Sequence, residues 1–422
     1  MKKLLSFILF FLVGSTLYAG GYRVSIQGQK QLAMGHTGVA VISSAESVFF
    51  NPASMSFLDG KMNVSIGASA IFGNTRFENK EFGIAEETDN PLGTPFNVYA
   101  TYKANDWLSF GLGVYTPYGS SVEWNKDWAG SHLVNNIKLK AIFVQPTIAL
   151  KISEQLSIGG GPIYANGSVE FNKNLNRNLT DTDGNRSNVT VEEKGISAWG
   201  YTIGVMIKPT EKLNLGFNYR SKVIMKVEGG DADFQNIPDD FFNPATGAQV
   251  NFADGKFDAQ LPMPAETTVG LSYEFCDKFL FAFDYNFAQW SEYKTLTVVF
   301  DNDAGTSASP RNYKDSETFR FGLQYKAHKK FTVRTGIYFD ESPVQDGYFA
   351  PETPRNDSVG YTAGLSFNVN DKLSIDASFL YLHFDEIDNS YDHYQENGQN
   401  VSFGGVYKSS VIAPGIGLSY KL

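Results

Sequence analysis

The sequence predicts an all-β protein: a 14-stranded antiparallel transmembrane β-barrel with an N-terminal plug inside its lumen. Three observations carry this expectation. Apolar residues recur with a period of two along most of the chain. Short and long links alternate between those segments without a break. After the first 19 residues, no stretch approaches the roughly 18 consecutive apolar residues of a membrane helix. Composition agrees. The 422 residues include 34 Phe, 22 Tyr and 5 Trp, and 14% aromatic content is high for a soluble enzyme. The net charge of −10 argues against nucleic-acid binding, which needs a basic face. A single cysteine, Cys276, rules out a disulfide scaffold.

The first element is a processing signal over 1–19. Lys2 and Lys3 precede an apolar run from Leu4 to Val13, and Leu17-Tyr18-Ala19 supplies a small residue at a cleavage site after Ala19. Ten apolar residues are too few for an anchor helix, which needs about 20. Residues 20–61 follow without sustained alternation. This is too long for a simple tail, and a barrel of fourteen strands has room for a plug.

The wall occupies 62–422. Met62 to Phe72 alternates, with Met62, Val64, Ile66, Ala68, Ala70 and Phe72 on one face. Leu213 to Val227 places Leu213, Leu215, Phe217, Tyr219, Val223, Met225 and Val227 opposite Asn214, Asn218, Arg220, Lys222 and Lys226. Successive side chains on a strand point to opposite faces, so each such segment has one apolar and one wet face. Fourteen segments follow: 62–72, 95–103, 107–116, 139–152, 155–169, 193–208, 212–227, 257–275, 279–300, 316–327, 330–340, 358–369, 372–385 and 406–422. Short links such as 104–106, 153–154 and 370–371 alternate with long ones such as 73–94, 117–138 and 228–256. Short periplasmic turns and long outer loops are the pattern of an outer-membrane barrel, and an even strand number puts both barrel ends on the periplasmic side. A secreted sandwich or propeller need not alternate its loop lengths. The last strand ends in Leu422, where many such barrels end in Phe.

Certain motifs add a family resemblance. Asn51-Pro52-Ala53 lies about 30 residues after Gly20-Gly21-Tyr22. Pro117-Tyr118-Gly119 is followed by Trp124 and by Asp127-Trp128-x-Gly130. Leu261-Pro262 precedes Thr268 to Tyr273, and Asp284-Tyr285 precedes Gln289-Trp290-Ser291. Together these resemble the FadL family of outer-membrane long-chain fatty-acid transporters, over essentially the whole mature chain. A second Asn-Pro-Ala, at Asn243-Pro244-Ala245, falls in an outer loop and reads as an ordinary turn. The resemblance implies passive passage of hydrophobic compounds: capture by outer loops, gating by the plug, and sideways exit beside a kinked strand.

On that basis Gly20, Gly21, Tyr22, Asn51, Pro52 and Ala53 are candidates for the gate. Tyr118, Trp124, Asp127 and Trp128 are candidates for an external capture loop, where exposed aromatics suit an amphipathic ligand, or interfacial anchoring. Gly111 and Gly113 are candidates for the kink, or for simple packing. By parity Arg220, Lys222, Arg320 and Arg334 face the lumen, where a cation can hold a carboxylate or merely pair with neighbours. The expected partners are a long-chain fatty acid or an aromatic or apolar small molecule, together with outer-membrane lipid and lipopolysaccharide. A closed barrel satisfies its own edges, so a monomer is expected.

No catalytic set is legible. The five histidines are scattered, with no zinc spacing, and Asp181 to Asn185 misplaces the glycine of a calcium loop, so no metal or cofactor is expected. There is no G-x-S-x-G motif. A general porin, a structural or adhesive barrel and a barrel hydrolase remain alternatives. The porin requires an open lumen, the adhesin outer loops that act without transport, and the hydrolase activity on esters.

Overall fold

The computed structural model describes residues 21–239, 249–250, 252–396 and 398–422. The proposed processing signal, Gly20 and the second Asn-Pro-Ala lie outside the described residues. The β-segments form one antiparallel sheet closed on itself. Five wall strands run as two pieces and two short strands belong to loop hairpins, which leaves fourteen in the wall. In order they are β1 (Met62–Ser69, then Phe72–Asn79), β2 (Phe96–Lys103), β3 (Leu108–Glu123), β4 (Asn136–Lys151), β5 (Leu156–Asn174), β6 (Asn188–Ile207) and β7 (Leu213–Arg220, then Val223–Gln235). They continue with β8 (Gly255–Met263, then Glu266–Cys276), β9 (Phe279–Ala288, then Thr295–Phe300), β10 (Ser316–His328), β11 (Phe331–Asp340) and β12 (Ser358–Asn368). The last two are β13 (Leu373–Phe384, then Ile387–Glu396) and β14 (Gln399–Lys421). Closure is by β1 on β14, from Asn63 opposite Lys421 to Ser69 opposite Gly415.

Both ends of the ring, Met62 and Lys421, lie at the end that carries the short turns. The expected segment count and the alternation of links therefore hold. The strands at the opposite end run further than periodicity indicated: β3 extends to Glu123 and β14 starts at Gln399. The faces are sorted as the alternation required. Ile203, Leu323, Val333, Leu365, Ile416 and Leu418 are exposed on the outside. Their strand neighbours Thr202, Arg320, Arg334, Ser366 and Ser419 are buried on the inside. That inversion suits a hydrocarbon exterior, where the backbone must be satisfied within the ring.

The leading residues are buried from Tyr22 to Ser56 almost without interruption. They fold as α1 (Gln29–Leu32), α2 (Ser47–Phe50) and a 3-10 turn (Pro52–Phe57). Inward-facing polar groups hold them. Gln29 bonds the Ala68 carbonyl and Ser69 of β1 and accepts from Ser378 of β13. The Gly35 N–H donates to Thr362 of β12 at 2.8 Å. Ser272 of β8 donates to the Ala40 carbonyl at 2.8 Å, and Gln145 of β4 to that of Val48 at 2.5 Å.

Candidate functional site

The site is built in three levels down the barrel axis. The first is an outer cavity of about 570 Å³. Its walls are apolar residues from the far halves of the long strands, among them Leu139, Val169, Val191, Met225, Phe257 and Val298. One side is polar. Arg311 forms a buried ion pair with Glu352 and sits 5.2 Å from the Tyr391 ring centroid. Burial acts against the Arg311 charge, but Glu352 overrides it and leaves the guanidinium more basic than usual. Lys173 lines the same cavity, and among the described residues no carboxylate lies within 4.0 Å of its amine.

The second level is a floor of aromatic rings. Tyr22 also lines the outer cavity. Its hydroxyl donates to the Pro262 carbonyl, and its ring meets Trp290 edge-on at 4.8 Å and Tyr118 at 6.2 Å. Gly21 packs against Trp290 with φ +45°, where a Cβ would lie 2.5 Å from the indole. Next along the chain, Arg23 is anchored to four wall strands or their edges. It donates to Glu266 (3.3 Å), Asn286 (2.5 Å), Thr318 (2.8 Å) and Asp340 (2.7 Å). The backbone of 22–24 bonds to β3, from the Val24 N–H to the Pro117 carbonyl and from the Gly119 N–H to the Tyr22 carbonyl.

The third level is the Asn-Pro-Ala turn. The Asn51 amide donates to the Val39 carbonyl at 2.8 Å and to that of Val205 in β6 at 2.9 Å. Its oxygen accepts the Ala53 N–H at 3.1 Å and so caps the 3-10 turn that Pro52 begins. Ser157 of β5 donates to the Ala53 carbonyl at 2.7 Å. Gly159 and Gly204 leave room for this turn: a Cβ at either would lie 2.7 Å from the Ala53 nitrogen or 2.2 Å from the Asn51 oxygen.

Several expected positions are corrected. Trp124 and Trp128 do not form an exposed capture surface. They are 3% and 2% exposed and stack on each other at 4.1 Å, donating to the Pro351 and Val134 carbonyls. Trp128 fills the space that Gly130 leaves empty, which explains the glycine of Asp-Trp-x-Gly. Asp127 is exposed at the tip of that turn with φ +61°. Tyr118 is also buried and donates to Glu266 at 2.9 Å. Neither Trp lines the outer cavity, which takes Leu133 from that loop.

Gly111 and Gly113 do not kink β3. Pairing with β2 and β4 runs unbroken past both, and the register shifts between Tyr115 and Tyr118. A Cβ at Gly111 would lie 2.5 Å from the Met55 sulfur, so these glycines admit the leading segment. The irregularity sits at Thr116-Pro117, where β3 leaves β2 and takes up residues 22–24.

Of the four cations, Arg220, Arg320 and Arg334 are buried on the inner face. Arg334 is engaged by Gln324 and Ser366. Lys222 is half-exposed and pairs with Glu292 at 2.8 Å, because β7 is interrupted at Ser221-Lys222. One residue of slip exchanges the two faces: Leu215 and Phe217 point outward, whereas Val223, Met225 and Val227 are buried inside. Sequence reasoning missed Arg23, Glu266, Asp284, Arg311 and Glu352. Parity could have found Asp284, which lies directly across from Arg320.

Comparison with known proteins places this geometry. A family model described as outer membrane protein transport protein (OMPP1/FadL/TodX) matches residues 10–421. The putative outer membrane protein NMB0088 of Neisseria meningitidis serogroup B is 24% identical, covering 96% of both chains. The long-chain fatty acid transport protein of Escherichia coli O157:H7 is 21% identical, over 91% of this chain and 92% of its own. Among solved structures, a Pseudomonas aeruginosa FadL homologue has a TM-score of 0.81 at 18% identity, over 95% of this chain and 99% of that one. The Pseudomonas putida toluene transporter TodX has a TM-score of 0.73 at 17% identity, over 94% and 98%. The chain belongs to the outer membrane protein transport protein (OMPP1/FadL/TodX) family.

Proposed function

We propose that the protein is a passive outer-membrane channel carrying long-chain fatty acids inward, with the short turns and both barrel ends in the periplasm. The observation that carries this is an apolar cavity of about 570 Å³ with one cationic side, seated directly on the Tyr22–Trp290 floor. That volume falls in the usual range for small-molecule sites, about 300–1,000 Å³. Each methylene withdrawn from water contributes about 0.8 kcal/mol, so a dry pocket suits an acyl chain better than a wet pore. Residues 20–61 act as the plug in this reading, with Arg23 and Asn51 as its two principal ties to the wall. Exit is sideways at Thr116-Pro117, where β3 parts from β2. Aromatic hydrocarbons would also suit the walls of the cavity, but Lys173, which has no carboxylate within 4.0 Å among the described residues, favours an acid. The channel works as a monomer, with outer-membrane lipid and lipopolysaccharide around it.

The test is uptake of labelled oleate by cells lacking their own transporter, with a small sugar in parallel. The intact protein is expected to admit oleate and not the sugar. Asn51→Ala with Pro52→Ala is expected to lower oleate uptake several-fold while folded protein persists at the surface. Sugar entry without oleate entry would make the protein a general porin.

A further inference from the structure

Three arginines, Arg23, Arg220 and Arg320, bound a second cavity of about 30 Å³ between the leading segment and the wall. They are held very differently. Arg23 makes four contacts, two of them to carboxylates. Arg220 donates to the Phe49 carbonyl at 3.0 Å and lies 4.3 Å from the centroid of that ring, while its Nε is buried without an acceptor. Arg320 is 5% exposed, and among the described residues it has neither a hydrogen bond nor an ion pair within 4.0 Å. Its cross-strand partner is Asp284, and such opposed pairs normally meet. Here Asp284 turns away. Its Oδ2 accepts the Gly38 and Val39 N–H groups at 2.7 and 3.1 Å. The leading segment has thus taken one oxygen of the carboxylate that would otherwise pair with Arg320, and the other, Oδ1, is buried without a hydrogen bond.

A guanidinium in a mostly buried site whose N–H donors meet no protein acceptor favours an anion that meets them. We propose that Arg320, with Arg220 beside it, is a way-station for the carboxylate of the passing substrate. The cavity has room for two oxygen-sized atoms, at about 10–15 Å³ each. A guanidinium presents paired N–H donors that match two carboxylate oxygens. Gln27 and Asn218 line the same space as neutral donors. Two carboxylates also line it, against three arginines: Glu266, held by Arg23 and Tyr118, and Asp284, held by the Gly38 and Val39 N–H groups. Phe49 and Phe50 form its apolar side and belong to the same buried cluster as Tyr22 and Met263, which line the outer cavity. Apolar packing therefore links the two cavities, and in the proposal the acyl chain follows it, by displacing side chains of that cluster, while the head rests on Arg320. Pro117, beside the irregularity in β3, is also part of the lining, so the station lies next to the proposed exit.

This inference rests on the fatty-acid reading, and its test separates the two. Uptake of labelled oleate and labelled methyl oleate is compared for the intact protein, Arg320→Gln and Arg320→Lys. Heat-modified gel mobility reports the folded barrel in each. Arg320→Gln is expected to lower oleate uptake about tenfold and leave the uncharged ester unchanged, with Arg320→Lys restoring much of the loss. An equal loss of both substrates would assign Arg320 to packing alone and overturn the station, as would no loss of either. If the intact protein admits the ester but not oleate, the fatty-acid reading itself falls, and the station falls with it.

Discussion

Gly21 is the most constrained single residue in the proposed gate. Its φ of +45° is a conformation that a side chain disfavours by about 1–2 kcal/mol, and the Trp290 indole occupies the space a Cβ would need. Gly21→Ala must therefore displace either Trp290 or the backbone that aims Tyr22 at Pro262. In planar bilayers the variant is expected to show a steady conductance several-fold above that of the intact protein, with the barrel still folded. An unchanged conductance would mean that Gly21 and Tyr22 do not seal the floor. Gly21-Tyr22 was legible in sequence as a motif, yet its neighbour Arg23 was not. The partners of Arg23 lie 243 to 317 residues away, on four separate inward faces, and no local pattern brings them together. Asn51 was easier to see because part of its role is local: it caps the turn that Pro52 begins.

Elements were legible to the extent that one rule held along their length. Alternation runs unbroken through β11 and β12 and along β10 as far as Lys326, and their inner and outer faces follow from it. In β7 the rule fails at Ser221-Lys222, because a two-residue interruption changes the face and nothing in the flanking residues marks the slip. The outer loop at 124–135 failed in another way. Its aromatics suggested a surface, but the chain is long enough to fold on itself, and Trp124, Trp128 and His132 all end up buried. His132 meets Tyr394 and Phe403 edge-on at 4.6 and 5.4 Å. Burial lowers its pKa to about 3, and the nearby charges of Arg177 and Lys173 act in the same direction. An opened loop would take up a proton near pH 6.5, whereas the packed loop takes none until about 3. The packed loop is thus fully favoured above about pH 6.5 and loses about 1.4 kcal/mol per unit as pH falls below that. Proteolytic nicking within 124–135 is expected to rise steeply between pH 7.5 and 5 while the barrel stays intact. His132→Phe keeps the ring contacts and is expected to abolish the dependence. A pH response that survives this change would place the titrating group elsewhere.

At the scale of the whole molecule, the ring inverts the usual order of burial, and this makes its membrane belt testable at one position. Leu323 is 48% exposed on β10, between the inward Gly322 and Gln324. It stands about five residues above the short turn at Lys329-Lys330. At about 3.3 Å per residue and a tilt near 40°, that is roughly 12 Å of height, the middle of an apolar band about 25 Å tall. An arginine there would have to leave its charge in hydrocarbon or drag it to an interface. Leu323→Arg is expected to cost about 2–4 kcal/mol in urea unfolding from lipid vesicles, measured against Leu323→Ala to remove the lost side-chain volume. Cross-strand neighbours can do little to relieve it, since Phe281 and Thr335 carry no charge. The inner face of the same strand bears Arg320, which is buried against a small cavity beside the leading segment and not against lipid. If Leu323→Arg costs less than about 1 kcal/mol, the outward face at this height is not in hydrocarbon, and the placement of the belt relative to the short turns must be moved.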